Sequence, residues 1–325
     1  MAEINFVHIP VLFEETIESL AIEPDGLYID TTAGAGGHSA GILQRLGPKG
    51  RLICIDQDPD AITVLTERFG QDKRVTVCKT NFSQMEQAVD ASLHRKVSGI
   101  LMDIGISSFQ VDEKSRGFSF HEDAPLRMDM SQEGVTAAEL VNTLSWQELA
   151  EIFSRYGEEK YAKSIAQNIV KARQTAPVER TLQLAEIIKE SVPFSYRREG
   201  HPARKSFQAL RIAVNRELEV LEEGMESAFK MLKPGGRLSV ITFHSLEDRM
   251  AKRQMAAWCV CCVCPSDFPV CCCGGKAKGQ LAFKKPVSAS ERELAENPRS
   301  RSAKLRTIIK ATDDEEPLPA KKKGC

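Results

Sequence analysis

The hydrophobic residues of this chain fall into short, nearly continuous runs that alternate with helical patterns up to Ser107. The runs LYIDTT, RLICIDQD, RVTVCKTN and SGILMDIGIS are rich in Ile, Val and Leu, as expected for strands covered on both faces of a parallel sheet. Helical patterns lie between them, around Ser39–Leu46, Pro59–Phe69 and Ser83–His94. This alternation predicts successive β-α-β units.

A long segment with helix signals follows Ser107. TAAEL and SWQELAEIF each begin with a capping box, and YAKSIAQNIVKAR places its apolar residues on one helical face. We therefore predict an all-helical insertion over residues 109–204 and expect it to recognise the substrate.

The sheet pattern then resumes. Apolar spacing from Phe207 to Leu232 predicts one long helix that ends at KPGG, and RLSVITF reads as the next strand. Two β-like segments, Leu281–Val287 and Leu305–Lys310, are expected to close the sheet as a hairpin. The prediction is an α/β fold with a seven-stranded doubly wound sheet, built from residues 1–108 and 205–311, and a disordered tail at 312–325.

The turn after the first strand contains three glycines, in TAGAGGHS. A ligand lying across the carboxyl end of that strand needs a close backbone approach, and a side chain at Gly34, Gly36 or Gly37 is expected to intrude on it. Asp56 ends the second strand, where an acid can accept hydrogen bonds from ribose hydroxyls. The two features predict a cofactor that contains adenosine.

Two observations separate the possible cofactors. A nicotinamide fingerprint, G-x-G-x-x-G, requires glycine where this chain has Ser39. Tyr156 and Lys160 have the spacing of a short-chain dehydrogenase pair, yet they fall within the helical insertion. S-adenosylmethionine has no pyrophosphate and does not need the third glycine, so the sequence favours the methyl donor over an NAD-dependent dehydrogenase.

Composition changes this picture only in detail. The 325 residues include 42% hydrophobic and 27% charged residues, enough for a sizeable core and about two domains. Neither an export signal nor a membrane-spanning run is evident, and seven of the ten cysteines crowd between Cys259 and Cys273. We expect a cytoplasmic protein. A zinc site at Cys261 or Cys262, Cys264, Cys271 and Cys273 is a minor alternative, and no metal is expected.

The chain resembles a known enzyme family in segments that run from about His8 to about Arg306. They include HIPVL, TAGAGGHS, IDQDPDAI, DIGISSFQVD, HPARKSFQALRIAVNRELE, LKPGGRLSVITFHSLEDRMAKR and ENPRSRSAKLR. These segments are similar to those of the bacterial small-subunit ribosomal RNA cytosine-N4 methyltransferases. The resemblance implies a class I methyltransferase sheet with an inserted helical domain, and methyl transfer to a cytosine in the decoding region of that RNA.

The resemblance also implies a set of S-adenosylmethionine contacts in this sequence. They are Gly36, Gly37, His38, Asp56, Phe82, Asp103 and Gln110. In this assignment Asp56 binds the ribose, Phe82 stacks on the adenine and Asp103 lies beside the sulfonium.

Cytosine N4 is a weak nucleophile because its lone pair is delocalised into the ring, so positioning of the amine is the main task. Many amino-methyltransferases use Asp or Asn followed by two prolines and an aromatic residue, whereas this chain has DIGIS. We predict Asp103, Ser107 and His244 as catalytic residues. A helix cap formed by Ser245 with Asp248 is the alternative use of the segment around His244.

The partner expected from these features is the small ribosomal subunit and its RNA. A base within a duplex cannot reach such a site, so the target cytosine should be unstacked. The basic segment from Arg197 to Arg216, with Phe207 among its cations, is the predicted contact to the RNA backbone. A non-catalytic ribosome-assembly factor that keeps the nucleoside pocket remains an alternative, and the oligomeric state is open.

Overall fold

The computed structural model describes residues 10–106, 113–198, 200–261, 264 and 275–312. The chain divides into two compact units. The first is made of Met1–Gly105 and Val220–Cys325, and the second of Ile106–Glu219. Among the described residues, no helix is both long enough and apolar enough to cross a bilayer.

The first unit contains one seven-stranded sheet. Its strands are β1 Leu27–Asp30, β2 Arg51–Asp56, β3 Val75–Lys79, β4 Val97–Asp103, β5 Leu232–Thr242, β6 Gly279–Leu281 and β7 Lys304–Lys310. Their spatial order is β3-β2-β1-β4-β5-β7-β6. The first five are parallel and β7 is antiparallel to both of its neighbours. The predicted doubly wound sheet is therefore confirmed.

Helices follow most strands of this unit and also build the second unit. They are α1 Phe13–Leu20, α2 Gly37–Arg45, α3 Pro59–Phe69, α4 Met85–Ala88, α5 Ala137–Thr143, α6 Trp146–Gly157, α7 Ala162–Arg173, α8 Thr181–Glu190, α9 Phe194–Arg197, α10 Ala203–Asn215, α11 Glu217–Met231, α12 Ser245–Trp258 and α13 Glu291–Glu296.

Both faces of the sheet are covered, which explains the continuous hydrophobic runs. Tyr28 and Leu101 point into one core cluster, and their neighbours Ile29 and Ile100 point into the other. All four are at most 1% exposed. Full burial of one such side chain stabilises a fold by about 1.5–3 kcal/mol.

The register of the parallel strands brings three acids to one edge of the sheet. Asp30 pairs with Cys54 of β2 and with Leu101 of β4. Asp56 and Asp103 each lie two residues beyond those partners, at the carboxyl ends of their own strands. The carboxyl edge of β2, β1 and β4 therefore carries Asp30, Asp56 and Asp103.

The second unit is helical, with capping boxes at the starts of α5 and α6, as predicted at Thr136 and Ser145. One expectation for this part of the chain was wrong. The long helix predicted from Phe207 to Leu232 is broken at Arg216, whose φ of 49° is left-handed.

Hydrogen bonds made by Asn215, mostly to residues distant in the sequence, explain the break at Arg216. The side-chain amide of Asn215 donates to the carbonyls of Met128 and Arg211, and its oxygen accepts the N–H of Met130. These contacts fix the end of α10, while the apolar spacing continues across the break and conceals it.

Other boundaries also differ from the predicted ones. Helix α10 packs within the second unit, because Gly157 of α6 lies against the carbonyl of Lys205. That unit extends to Glu219, whereas the sequence placed the end of the insertion at residue 204. The closing hairpin pairs β6 with β7, and Val287 forms only an isolated bridge to Leu305. Residues 313–325 of the predicted tail lie outside the described residues.

Candidate active site

The glycine turn joins β1 to α2, and its three glycines serve different purposes. Gly34 has a φ of +51°, and a Cβ there would meet only the carbonyl oxygen of Thr32, at 3.9 Å. Gly36 has a φ of +76°, and a Cβ there would overlap the ring of Phe69; a Cβ at Gly37 would overlap Pro10. Protein packing therefore requires glycine at 36 and 37, and Gly34 leaves room for a ligand; ligand contacts at all three glycines stay a prediction.

Asp56 is hydrogen-bonded to the glycine turn. Its carboxylate accepts the N–H of Gly34 and the N–H of Asp58, both at 2.9 Å. Burial raises the pKa of Asp56 to about 6, against the lowering effect of these hydrogen bonds. A carboxylate offers about four lone-pair directions, so this group retains acceptor capacity for a ligand hydroxyl.

Asp30 is a buried acid at this edge that the sequence analysis did not select. One of its oxygens accepts the hydroxyl of Ser39 at 2.6 Å, and the residue is 1% exposed. Burial raises its pKa to about 6. An acid at the end of an apolar strand, followed by a glycine turn, is the signal that could have identified it.

Of the three acids at this edge, Asp103 has the largest shift in pKa. Its side chain is 24% exposed, and its Oδ1 atom is buried without a hydrogen-bond donor among the described residues. Burial, reinforced by the charges of Asp30 and Glu247, raises the pKa of Asp103 to about 8. A backbone N–H donated to Thr32 Oγ1 at 2.8 Å fixes its position. The unsatisfied oxygen is a natural acceptor for a ligand.

His38 lies beside Asp103. Its Nε2 is 3.1 Å from the carbonyl oxygen of Val11, which can only accept, so Nε2 carries the hydrogen. Its Nδ1 is then an acceptor, 3.5 Å from Oδ2 of Asp103. The imidazole is 6% exposed and stacks against Phe13. A protonated Asp103 and an Nδ1 acceptor are complementary partners.

His244 caps helix α12. Its Nδ1 accepts the N–H of Glu247, and the Glu247 carboxylate accepts the N–H of His244 in return. Its Nε2 is also 2.9 Å from Oε1 of Glu247, at an angle that does not make a hydrogen bond. The alternative cap of Ser245 with Asp248 was wrong, because the cap lies one residue earlier and Asp248 is bound by Lys304 and Arg306.

Phe82 follows β3 and starts a 3₁₀ helix, Phe82–Gln84. Its ring is partly buried against the core, and a Cβ at Gly224 would overlap it. Stacking of Phe82 on adenine stays a prediction.

Several predicted residues lie outside the described part of the chain. They are Ser107, Gln110 and most of the cysteine segment, including Cys262, Cys271 and Cys273. The predictions made for them, zinc included, stay predictions.

A separate cavity of about 570 Å³ opens at the opposite edge of the sheet. Its lining includes Glu23, Asp25, Arg51, Lys96 and Lys233, a mixture of both charges. Ligands of open α/β sheets bind outside the carboxyl ends of the strands, and the acids with raised pKa values are at that edge. We therefore place the candidate site at the carboxyl edge.

The Tyr156 and Lys160 pair does not have the features of a dehydrogenase site. The Tyr156 hydroxyl donates to Glu219 at 3.2 Å. Burial, together with Glu219, raises the pKa of Tyr156, which opposes the ionised phenol that such a pair requires. Lys160 lies over the ring of Tyr161, 5.7 Å from its centroid.

Known proteins resemble this chain over nearly its whole length. A Symbiobacterium thermophilum protein named ribosomal RNA small subunit methyltransferase H is 52% identical over 316 residues, which cover 96% of this chain and 99% of that protein. A Paenibacillus protein of the same name is 50% identical, covering 94% and 99%. A solved rRNA methylase from Streptococcus thermophilus aligns with 94% of this chain and 100% of its own, at 8% identity and a TM-score of 0.42. The model of the MraW methylase family matches residues 5–311, and the chain belongs to that family.

Proposed function

We propose that this chain transfers a methyl group from S-adenosylmethionine to the exocyclic N4 of a cytosine in the RNA of the small ribosomal subunit. The observation that carries the proposal is the row of Asp30, Asp56 and Asp103 at the carboxyl ends of three neighbouring strands. The names of the relatives at 52% and 50% identity supply the substrate. Because that substrate is intracellular, we also propose a cytoplasmic location.

S-adenosylmethionine fits the chemistry of this edge. Gly34 leaves open space above the turn, and Asp56 keeps lone pairs for ribose hydroxyls. The unsatisfied Oδ1 of Asp103 supplies a further acceptor. When bound, the cofactor supplies an electrophilic methyl carbon. Further contacts from Gly36, Gly37, His38, Phe82 and Gln110 are proposed from the family resemblance.

The residues of this chain then have to hold the amine and accept its proton. Oδ1 of Asp103 is the proposed acceptor for one N4–H group, which aligns the nitrogen and increases its electron density. Above a pH of about 8 the Asp103 carboxylate is ionised and can take the proton that N4 loses. His38 Nδ1, 3.5 Å from Oδ2, is placed to receive a proton from Asp103. Ser107 and His244 are proposed as additional contacts to the cytosine.

The second unit is the proposed RNA-binding part. Not every cation of its basic segment can contact RNA, because Arg211 is paired with buried Glu217 at 2.7 Å. Phe207 is only 3% exposed, so it does not present a face to a base. Arg198 and Arg204 are exposed, which makes them the better candidates for phosphate contact.

The proposal is tested with methyl-labelled S-adenosylmethionine and small subunits that lack the modification. We expect labelled N4-methylcytosine with the natural protein and a loss of about 100-fold or more in rate with Asp103→Ala. Asp25→Ala removes an exposed aspartate at the opposite edge and should leave the rate unchanged. Binding of S-adenosylmethionine without transfer would indicate a non-catalytic assembly factor, and selective NAD binding would indicate a dehydrogenase; either result refutes the proposal.

A further inference from the structure

The second unit carries an exposed group of stacked rings that the reaction above does not use. The ring of Phe120 lies 4.4 Å from that of His201, with planes 20° apart, and 4.4 Å from that of His121. The two imidazoles are 5.5 Å apart, edge to face. We call Phe120, His121 and His201 the imidazole platform.

The platform is held from beneath. Phe207 is buried and packs edge to face against Phe120, with ring centroids 5.5 Å apart. His201 Nδ1 accepts the N–H of Ala203 at 3.3 Å, which fixes the ring at the start of α10 and leaves the hydrogen on Nε2. His121 and His201 are exposed and Phe120 is half-buried. Packing therefore fixes the inner side of the platform, and its outer side is exposed to solvent.

Neither of two simpler roles accounts for the platform. A core cluster would bury its imidazoles, whereas His121 and His201 are exposed. A metal site would need a third ligand. Within the described ranges, no third histidine, cysteine or carboxylate completes a metal-binding group with these two histidines.

The charges around the platform favour a polyanion. The acids that follow His121 are neutralised, since Glu122 is paired with Lys114 at 3.0 Å and Asp123 with Arg180 at 2.7 Å. A cation lies on the His201 side. Arg204 is exposed one turn away, its backbone N–H bonded to the His201 carbonyl.

Lys189 also lies near His201, but it is paired with Glu186 at 2.9 Å and so adds little net charge. Partial desolvation, then the charges of His121 and Lys189, lower the pKa of His201. His201 is therefore favoured in its neutral form, in which an imidazole presents an uncharged aromatic face.

We propose that an unpaired base of the RNA substrate stacks on the imidazole platform while Arg204 contacts an adjacent phosphate. This inference rests on the proposed function and specifies a contact surface for the same substrate. Every base has a π-face, so the platform holds single-stranded RNA with little regard to sequence. Aromatic stacking combined with cations is the usual arrangement at such surfaces.

The test compares three proteins: the natural chain, the His121→Ala/His201→Ala double variant and the His121→Tyr/His201→Tyr double variant. The probe is a short single-stranded oligoribonucleotide that contains 2-aminopurine, whose fluorescence is quenched on stacking. We expect the alanine variant to bind about tenfold more weakly, or worse, and to lose the quenching. The tyrosine variant keeps two aromatic faces and should restore both.

The controls separate stacking from folding. S-adenosylmethionine binding and thermal unfolding should be the same in all three proteins. If the alanine pair unfolds, His121→Ala alone, at an exposed position, replaces it with a smaller expected loss. Unchanged binding and quenching in the folded alanine variant would overturn the proposal. Failure of tyrosine to restore binding would also overturn it, and a partner protein that competes for the intact platform would point to a protein docking surface instead.

This result is independent of methyl transfer. If the natural chain methylates no ribosomal RNA but the alanine pair still loses RNA binding, the proposed function fails and the platform stands. If methylation occurs and the alanine pair binds normally, only the platform inference fails.

Discussion

Replacement of Asp103 by asparagine should stabilise the protein, by an amount that grows with pH. Burial, with repulsion from Asp30 and Glu247, raises the pKa of Asp103 from 3.8 to about 8. Between these values the native state binds one more proton than the unfolded chain, so the free energy of unfolding falls as pH rises from about 4 to about 8. Asparagine has nearly the same shape and cannot ionise, so it removes this dependence.

The magnitude follows from the two pKa values. A change from 3.8 to about 8 is about four powers of ten in proton affinity, which corresponds to roughly 6 kcal/mol as an upper limit. Because 24% of the side chain is exposed, water reduces this penalty. We expect Asp103→Asn to be about 2 kcal/mol more stable than the natural protein above pH 8, and equally stable near pH 4.

The assay is urea unfolding followed by circular dichroism at several pH values between about 4 and 9. Asp25→Asn, at an exposed position, is the matched control and should show no such trend. A stability difference that does not change with pH, or a natural protein that becomes relatively more stable at high pH, would refute the reasoning about Asp103.

Four further predictions concern activity, backbone, ion pairing and RNA. Methyl transfer by the natural protein should increase with pH up to about 8, as Asp103 ionises, and Asp103→Asn should flatten that profile in single-turnover rates. Gly36→Ala should cost about 2–3 kcal/mol in urea unfolding, because its φ of +76° and the facing ring exclude a side chain. Arg211→Ala should cost about 3 kcal/mol in the same assay by leaving Glu217 buried without its cation. Arg204→Ala should reduce the salt slope of RNA binding by about 0.7, and an unchanged slope would exclude a phosphate contact there.

The sequence predicted the sheet because burial on both faces leaves a direct signature. Strands such as β4 appear in the sequence as nearly continuous apolar runs, and the acids that end them mark the carboxyl edge. Asp56 and Asp103 were identified in this way. Asp30 has the same signature and could have been identified in the same way, whereas its hydrogen bond from the hydroxyl of Ser39, nine residues later, could not.

Features that depend on tertiary contacts could not be predicted. The break at Arg216 follows from hydrogen bonds between Asn215 and residues more than eighty positions away, while the apolar period continues through it. The requirement for Gly36 follows from the ring of Phe69, which lies on another helix. The sequence placed Phe207 among the cations of the predicted RNA contact, and it could not show that packing against Phe120 buries the ring.

The most direct test of the central claim is a crystal structure of the protein with S-adenosylhomocysteine, the product that methyl transfer leaves behind. We expect the nucleoside at the carboxyl edge of β1 and β2, with its ribose hydroxyls on Asp56 and its sulfur facing Asp103. A ligand bound anywhere else, for example in the cavity at the opposite edge, or an Asp56 carboxylate turned away from the ribose, would contradict the account.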